Sequence, residues 1–144
     1  MDEKKKGSSA VFNINYHIVW CTKYRRKVLN GSYATALEGI IRTTCDARGW
    51  DLIELRVMDD HIHAFLSAPP IESPTGIVKI LKGVSARQMF LLYPDLRGSF
   101  WGGHLWSPSY YVGTAGHVSA EVIERYIREQ CSEEQSGRRN SSTV

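Results

Sequence analysis

The segment "DDHIHAFLSAPP", residues 59–70, sets two imidazoles one residue apart inside an apolar run. Along an extended chain successive side chains alternate faces, so His61 and His63 stand on one side while Ile62 and Ala64 point to the other. Two neutral imidazoles on one face can donate two nitrogens to a divalent metal. They can equally be a satisfied or solvent-facing pair, because a three-residue motif is a weak signal by itself. A metal would need a further ligand, and chemistry would need a nucleophile. Far along the chain Tyr126 and Gln130 lie four residues apart, one turn from each other if that segment is helical. Ala120, Ile123 and Ile127 define an apolar stripe there, and Tyr126 and Gln130 are expected to look away from it, toward a metal. Taken singly, such a tyrosine is more often a half-buried packing residue and such a glutamine a surface one.

The elements that must hold these residues follow from periodicity. In "FNINYHIVWCT" (12–22) Ile14, Tyr16, Ile18 and Trp20 alternate with other residues, which predicts a strand with one buried face. "GSYATALEGIIRTTCDARGW" carries Ala36, Leu37, Ile40, Ile41, Thr44 and Cys45 at helical spacing and stops near Gly49. A strand over 50–58, a turn at "DD" and a strand His61–Ala68 make a hairpin. A helix over 73–94 opens on Ser-Pro and closes at Tyr93-Pro94. Its apolar side holds Ile77, Ile80, Leu81 and Val84, with Lys79, Lys82 and Arg87 mostly off that stripe. An aromatic, glycine-rich loop runs into a short strand near 110–114, and Ser119 caps a last amphipathic helix over 117–130. The order is βαββαβα. Its first six elements predict an α+β, ferredoxin-like fold, an antiparallel sheet backed on one face by two helices, with a C-terminal helix added. One sheet face is left free, and the fold alone does not say what for.

Composition bounds the rest. The 144 residues fit one domain over 11–131, between a basic tail at 1–10 and a polar tail at 132–144, both expected to be disordered. No run reaches the roughly 18 apolar residues of a membrane helix, and "MDEKKKGSSA" has no apolar stretch of the signal-peptide kind, so a cytoplasmic protein without a membrane partner is expected. Cys21, Cys45 and Cys131 lack zinc or disulfide-framework spacing and read as reduced, packed thiols. A net charge of +3 permits a polyanionic partner without requiring one. The cations gather at 4–6, at "KYRRK" (23–27), and at Lys79, Lys82 and Arg87. Each cluster could neutralise phosphates or simply be a solvated surface. Tyr24, Trp106, Tyr110 or Tyr111 could stack unpaired bases or pack in the core. No GxxxxGK[ST] loop is present, and no nucleotide cofactor is expected.

Five segments, "YHIVWCTKYRRKVL" (16–29), "VMDDHIHAFLS" (57–67), "LKGVSARQMF" (81–90), "LWSPSYYVGTAG" (105–116) and "IERYIREQ" (123–130), stand in a telling order and spacing. Together they resemble the single-tyrosine HUH transposases of small insertion sequences that move as single-stranded DNA, HUH being His, a hydrophobic residue, His. Asp59 departs from that pattern, which often has proline there. The resemblance implies that His61, His63 and Gln130 bind magnesium or manganese and that Tyr126 is the catalytic nucleophile, on the C-terminal helix. It implies cleavage and rejoining of single-stranded DNA through a 5′-phosphotyrosine, at transposon ends folded into hairpins. Lys79, Lys82, Arg87, Tyr24, Arg25, Arg26 and Trp106 are then candidates for holding the DNA. It also implies a homodimer in which each tyrosine helix completes the partner's metal site in trans, although Gly113 and Gly116 would permit a cis arrangement equally. The alternative is a ferredoxin-like binder of DNA or RNA hairpins that does not cut.

Overall fold

Alternation in the first predicted strand is realised as β1 (Ile14–Cys21), which puts Tyr16, Ile18 and Trp20 into the main core. This computed structural model describes residues 13–100, 103–114 and 120–131, the side chains of Ala120 and Gln130 excepted. The tails expected to be disordered, the Ser119 cap and Gly116 lie outside the described residues.

Helix α1 (Gly31–Arg48) buries Leu37, Ile41 and Cys45, one side of three successive turns. It stops where the periodicity predicted: Gly49 takes a left-handed φ of 74°, and its N–H meets the carbonyls of Cys45 and Asp46. Glycine suits that position because it has no Cβ to clash. The hairpin β2 (Asp51–Val57) and β3 (His61–Ala68) follows, with a register shift between Leu52 and Glu54 that leaves Ile53 exposed. Helix α2 (Pro74–Leu92) begins with the Ser73 hydroxyl accepting from the Gly76 N–H at 3.0 Å and Pro74 in the first turn. Pro94 does end it, but opens a further short helix, α3 (Pro94–Gly98), because proline is tolerated in a first helical turn. The short strand is β4 (Tyr111–Gly113). The chain's last described segment is α4 (Ala120–Tyr126), which widens into a π turn over Ile127–Cys131.

The strands assemble in the order β2-β3-β1-β4 with every neighbouring pair antiparallel, the ferredoxin-like arrangement expected from the element order. Tyr16, Ile18, Trp20, Ile62, Ala64 and Leu66 on one sheet face pack with Leu37 and Ile41 of α1 and Ile77, Leu81 and Met89 of α2. Each isoleucine, leucine or methionine among them contributes about 1.5–3 kcal/mol when fully buried.

The other sheet face departs from expectation. There Val19 and Cys21 of β1 form a second cluster with Tyr126, Ile127 and Cys131, so the second half of β1 is buried on both sides. Tyr126 therefore does not look away from the apolar stripe. Residues 123, 126 and 127 share one helical face, and the tyrosine ring is only 8% exposed beside Ile127. The cysteine reading also needs correction. Cys21 and Cys131 are joined in a disulfide across 110 residues, and Cys45 alone is a free, buried thiol. Spacing rules find local frameworks; this pair meets only because the last helix returns to the end of β1.

Candidate metal and nucleophile site

β1 and β3 build the site together. In their register His17 lies opposite Phe65, Val19 opposite His63 and Cys21 opposite His61. Residues directly opposite share a face, so both histidines stand on the side that carries the Tyr126 cluster. His61 and His63 are each partly buried, neither sealed in the core nor free in water.

Each imidazole is held by a second buried group that sequence reasoning missed. The His61 Nδ1 lies 2.9 Å from the Asp60 Oδ1, and Asp60 is only 4% exposed. The same carboxylate accepts from the Arg25 Nε at 3.2 Å, and the Asp60 carbonyl accepts from the Thr22 N–H at 3.0 Å. A carboxylate on one ring nitrogen leaves the other facing outward, which is how metal-binding histidines are commonly oriented. His17, buried on β1, stacks on the Phe65 ring at 4.1 Å and places its Nδ1 3.2 Å from the His63 Nε2. Burial first, and His17 second, push the His63 pKa below its ordinary value. A neutral imidazole keeps the lone pair a metal requires. The available signals were thin: Asp60 precedes the motif inside a turn, and His17 sits on the strand face read as the polar one.

The tyrosine is fixed through its polar end. Its hydroxyl lies 3.1 Å from the Ser109 Oγ, its ring 6.2 Å from that of Tyr111. Gly113 leaves room for the Tyr111 ring, since a Cβ there would meet the Tyr111 hydroxyl at 2.7 Å. The Ser109 loop is held in turn by the Lys82 ammonium, which donates to the carbonyl of Ser107 at 2.6 Å and that of Ser109 at 3.3 Å. Gln130 falls within the π turn, next to Cys131, whose sulfur is bonded to the residue opposite His61. Among the described residues no three His, Cys, Asp or Glu side chains gather as a metal-holding group. The two oriented imidazoles can offer nitrogen donors to a divalent metal ion.

The remaining candidates divide. Lys79, Arg26 and Arg87 are exposed, and Tyr24 is half-buried under the Lys23 ammonium at 5.3 Å. Arg25 is engaged with Asp60, and Lys82 with the loop carbonyls. Trp106 is corrected outright: at 7% exposure it packs edge-on against Trp20 and donates its indole N–H to the Ser85 Oγ at 3.0 Å, so its ring offers no platform for a base. Tyr24 and Arg25 both take left-handed backbone angles, φ 61° and 54°. That turn is secured by the Thr22 hydroxyl on the Arg26 carbonyl at 2.8 Å and the Lys23 N–H on the Leu105 carbonyl at 2.8 Å. Among the described residues no helix is long and apolar enough to cross a membrane.

The ferredoxin-like sheet thus carries paired histidines on a central strand, with Tyr126 on a helix over the same face. The chain belongs to the family described as "Transposase IS200 like", whose family model matches residues 10–130. It is 43% identical over 132 residues to the ISDra2 transposase TnpA of Deinococcus radiodurans, covering 92% of this chain and 94% of that one. It is 32% identical over 137 residues to the transposase for insertion sequence element IS200 of Salmonella typhimurium, covering 95% and 90%. A crystal structure from Deinococcus radiodurans R1 described as a transposase superposes with a TM-score of 0.80 at 42% identity, over 88% of this chain and 97% of that one. A REP-associated tyrosine transposase bound to a REP hairpin shares the fold, with a TM-score of 0.52 at 13% identity over 80% and 66% of the chains.

Proposed function

We propose that this transposase cleaves and rejoins single-stranded DNA at the ends of its insertion sequence, with Tyr126 as nucleophile and a folded DNA hairpin as the recognised feature. The observation that carries the reading is the meeting, on one sheet face, of the oriented His61–His63 pair with the helix bearing Tyr126. Membership of a transposase family, and the fold shared with a hairpin-bound tyrosine transposase, support the choice of substrate.

A tyrosine hydroxyl, with a pKa near 10, is a weak nucleophile, and a phosphodiester repels it with negative oxygens. A magnesium or manganese ion held by His61, His63 and Gln130 would supply charge neutralisation on those oxygens and alignment of the phosphorus. Asp60 and His17 hold the two imidazoles in orientation, and Ser109 holds the phenol oxygen in place. The phenol oxygen bonds to phosphorus as the 3′-oxygen leaves, which gives a 5′-phosphotyrosine and a free 3′-hydroxyl. A 3′-hydroxyl from a second DNA end reverses the exchange and joins the strands. One phosphoester replaces another, so no nucleotide need be hydrolysed. In this reading the exposed Lys79, Arg26 and Arg87 neutralise backbone phosphates and the half-buried Tyr24 stacks a base. The functional unit we propose is a homodimer, with tyrosine helices able to serve the partner's histidines.

The test is incubation with labelled single-stranded DNA from the element's end and manganese. A denaturation-resistant protein–DNA adduct is expected from the wild type and none from Tyr126→Phe. No adduct from the wild type, or equal adduct from Tyr126→Phe, overturns the nucleophile assignment and favours a hairpin binder or a water-using phosphodiesterase.

A further inference from the structure

The cleavage chemistry leaves one reactive pair of side chains unused. Cys21 is the last residue of β1 and the register partner of His61, while Cys131 ends the π turn, one residue past Gln130. Their bond ties the histidine-bearing sheet to the nucleophile's helix, and both residues are fully buried.

We propose that Cys21 and Cys131 form a redox-responsive modification site, a latch that in its oxidised state fastens the Tyr126 helix to the sheet of its own chain and in its reduced state lets that helix lift. The functional meaning of the latch rests on the cleavage reading above; its existence does not. Two further observations favour a latch over a structural staple. The main core contains neither cysteine and is complete without the bond. The helix end, by contrast, docks through a small cluster with Val19 and Tyr111. Few buried apolar contacts mean that a segment opens locally at low cost, so a covalent tie at this end changes its opening most. Where thiols are kept reduced, disulfides are typically transient and sensing.

The chemistry balances with common reagents. Two thiols lose two protons and two electrons as the sulfur–sulfur bond forms, and a peroxide takes them up to become two waters. A low-molecular-weight dithiol reverses the step by thiolate exchange and is itself left as a disulfide. Because the sulfurs are buried, exchange proceeds through openings of the helix end.

The test prepares the full chain fully oxidised with hydrogen peroxide and fully reduced with dithiothreitol. Under denaturing alkylation one thiol, Cys45, is expected in the first and three in the second. Amide hydrogen exchange over residues 120–131 should be at least tenfold faster in the reduced form, while α1 and α2 exchange alike in both. Cys131→Ser should match the reduced form whatever the oxidant. Persistence of three thiols after peroxide, or equal exchange in the two forms, overturns the latch. In a mixture of Tyr126→Phe and His61→Ala proteins, adduct should form at least tenfold more when both are reduced. Equal adduct in the two states, or none when reduced, refutes helix release between chains. Absence of adduct from wild type in both states would instead refute the cleavage reading and leave the exchange result standing.

Discussion

Replacing Asp60 by asparagine tests the site without touching a proposed ligand. The carboxylate is buried and takes two donors, the His61 ring at 2.9 Å and the Arg25 guanidinium at 3.2 Å. Asparagine keeps the shape but offers one oxygen, so its amide N–H₂ must face one of those donors. Hydrogen bonds involving a charged group are worth about 1.5–3 kcal/mol each, and the loss on the Arg25 side is smaller because that side chain is 31% exposed and partly served by water. A destabilisation of about 1–3 kcal/mol is therefore expected, read as a lower melting temperature. The sharper consequence is for His61, whose ring is no longer oriented: manganese affinity should fall by about 10–100-fold, measured by titration calorimetry on protein shown by circular dichroism to be folded. Folded Asp60→Asn protein with wild-type manganese affinity would refute the claim that this carboxylate sets the histidine.

Three other outcomes are expected. His17→Phe preserves packing on Phe65 and removes the neighbouring imidazole, so the His63 pKa should move back toward 6.5 in a proton NMR titration. Burial, His17, Arg56 and His61 lower that pKa against the opposing pull of Glu54, so the folded protein binds this proton less readily than the unfolded chain. In metal-free protein the stability from neutral His63 is whole above pH 6.5 and drains away as pH falls through the lower folded value; His63→Gln should flatten that part of the melting-temperature profile. Ser109→Ala removes the partner of the Tyr126 hydroxyl, and adduct formation should slow by about fivefold to tenfold, the equivalent of one ordinary hydrogen bond of about 1 kcal/mol, with the fold intact.

Much of this architecture is legible without coordinates because it is written in short periods. Alternation at Tyr16, Ile18 and Trp20, helical spacing at Leu37, Ile41 and Cys45, and the Ser73-Pro74 start each depend on neighbours within a turn or two. The common face of His61 and His63 needs only the two-residue repeat of a strand. What stayed hidden depends on long-range placement. Asp60 looks like a turn residue until Thr22 and Arg25 fold back upon it. Cys21 and Cys131 carry no spacing signal across 110 residues. Tyr126 was misplaced because ordinary helical spacing already sets it on one face with Ile123 and Ile127, and because β1 was read with one covered face when its end has two. Trp106 was open to base stacking or core packing from the sequence, and Ser85 and Trp20, both distant along the chain, draw it inward.

The Lys82 ammonium has a consequence reaching beyond its own helix. It sits on α2, which packs on the far side of the sheet from Tyr126, yet it grips the carbonyl of Ser109, whose hydroxyl grips the tyrosine. The route passes beside β4, a strand of only three residues, so the sheet does not insulate one side from the other. Two ligands that meet such a chain at opposite ends are thermodynamically linked, and the linkage is reciprocal. On the proposed function, DNA that shifted α2 through Lys79 or Arg87 would change how firmly the phenol is held, and DNA that engaged the phenol would change the affinity at α2 by the same factor.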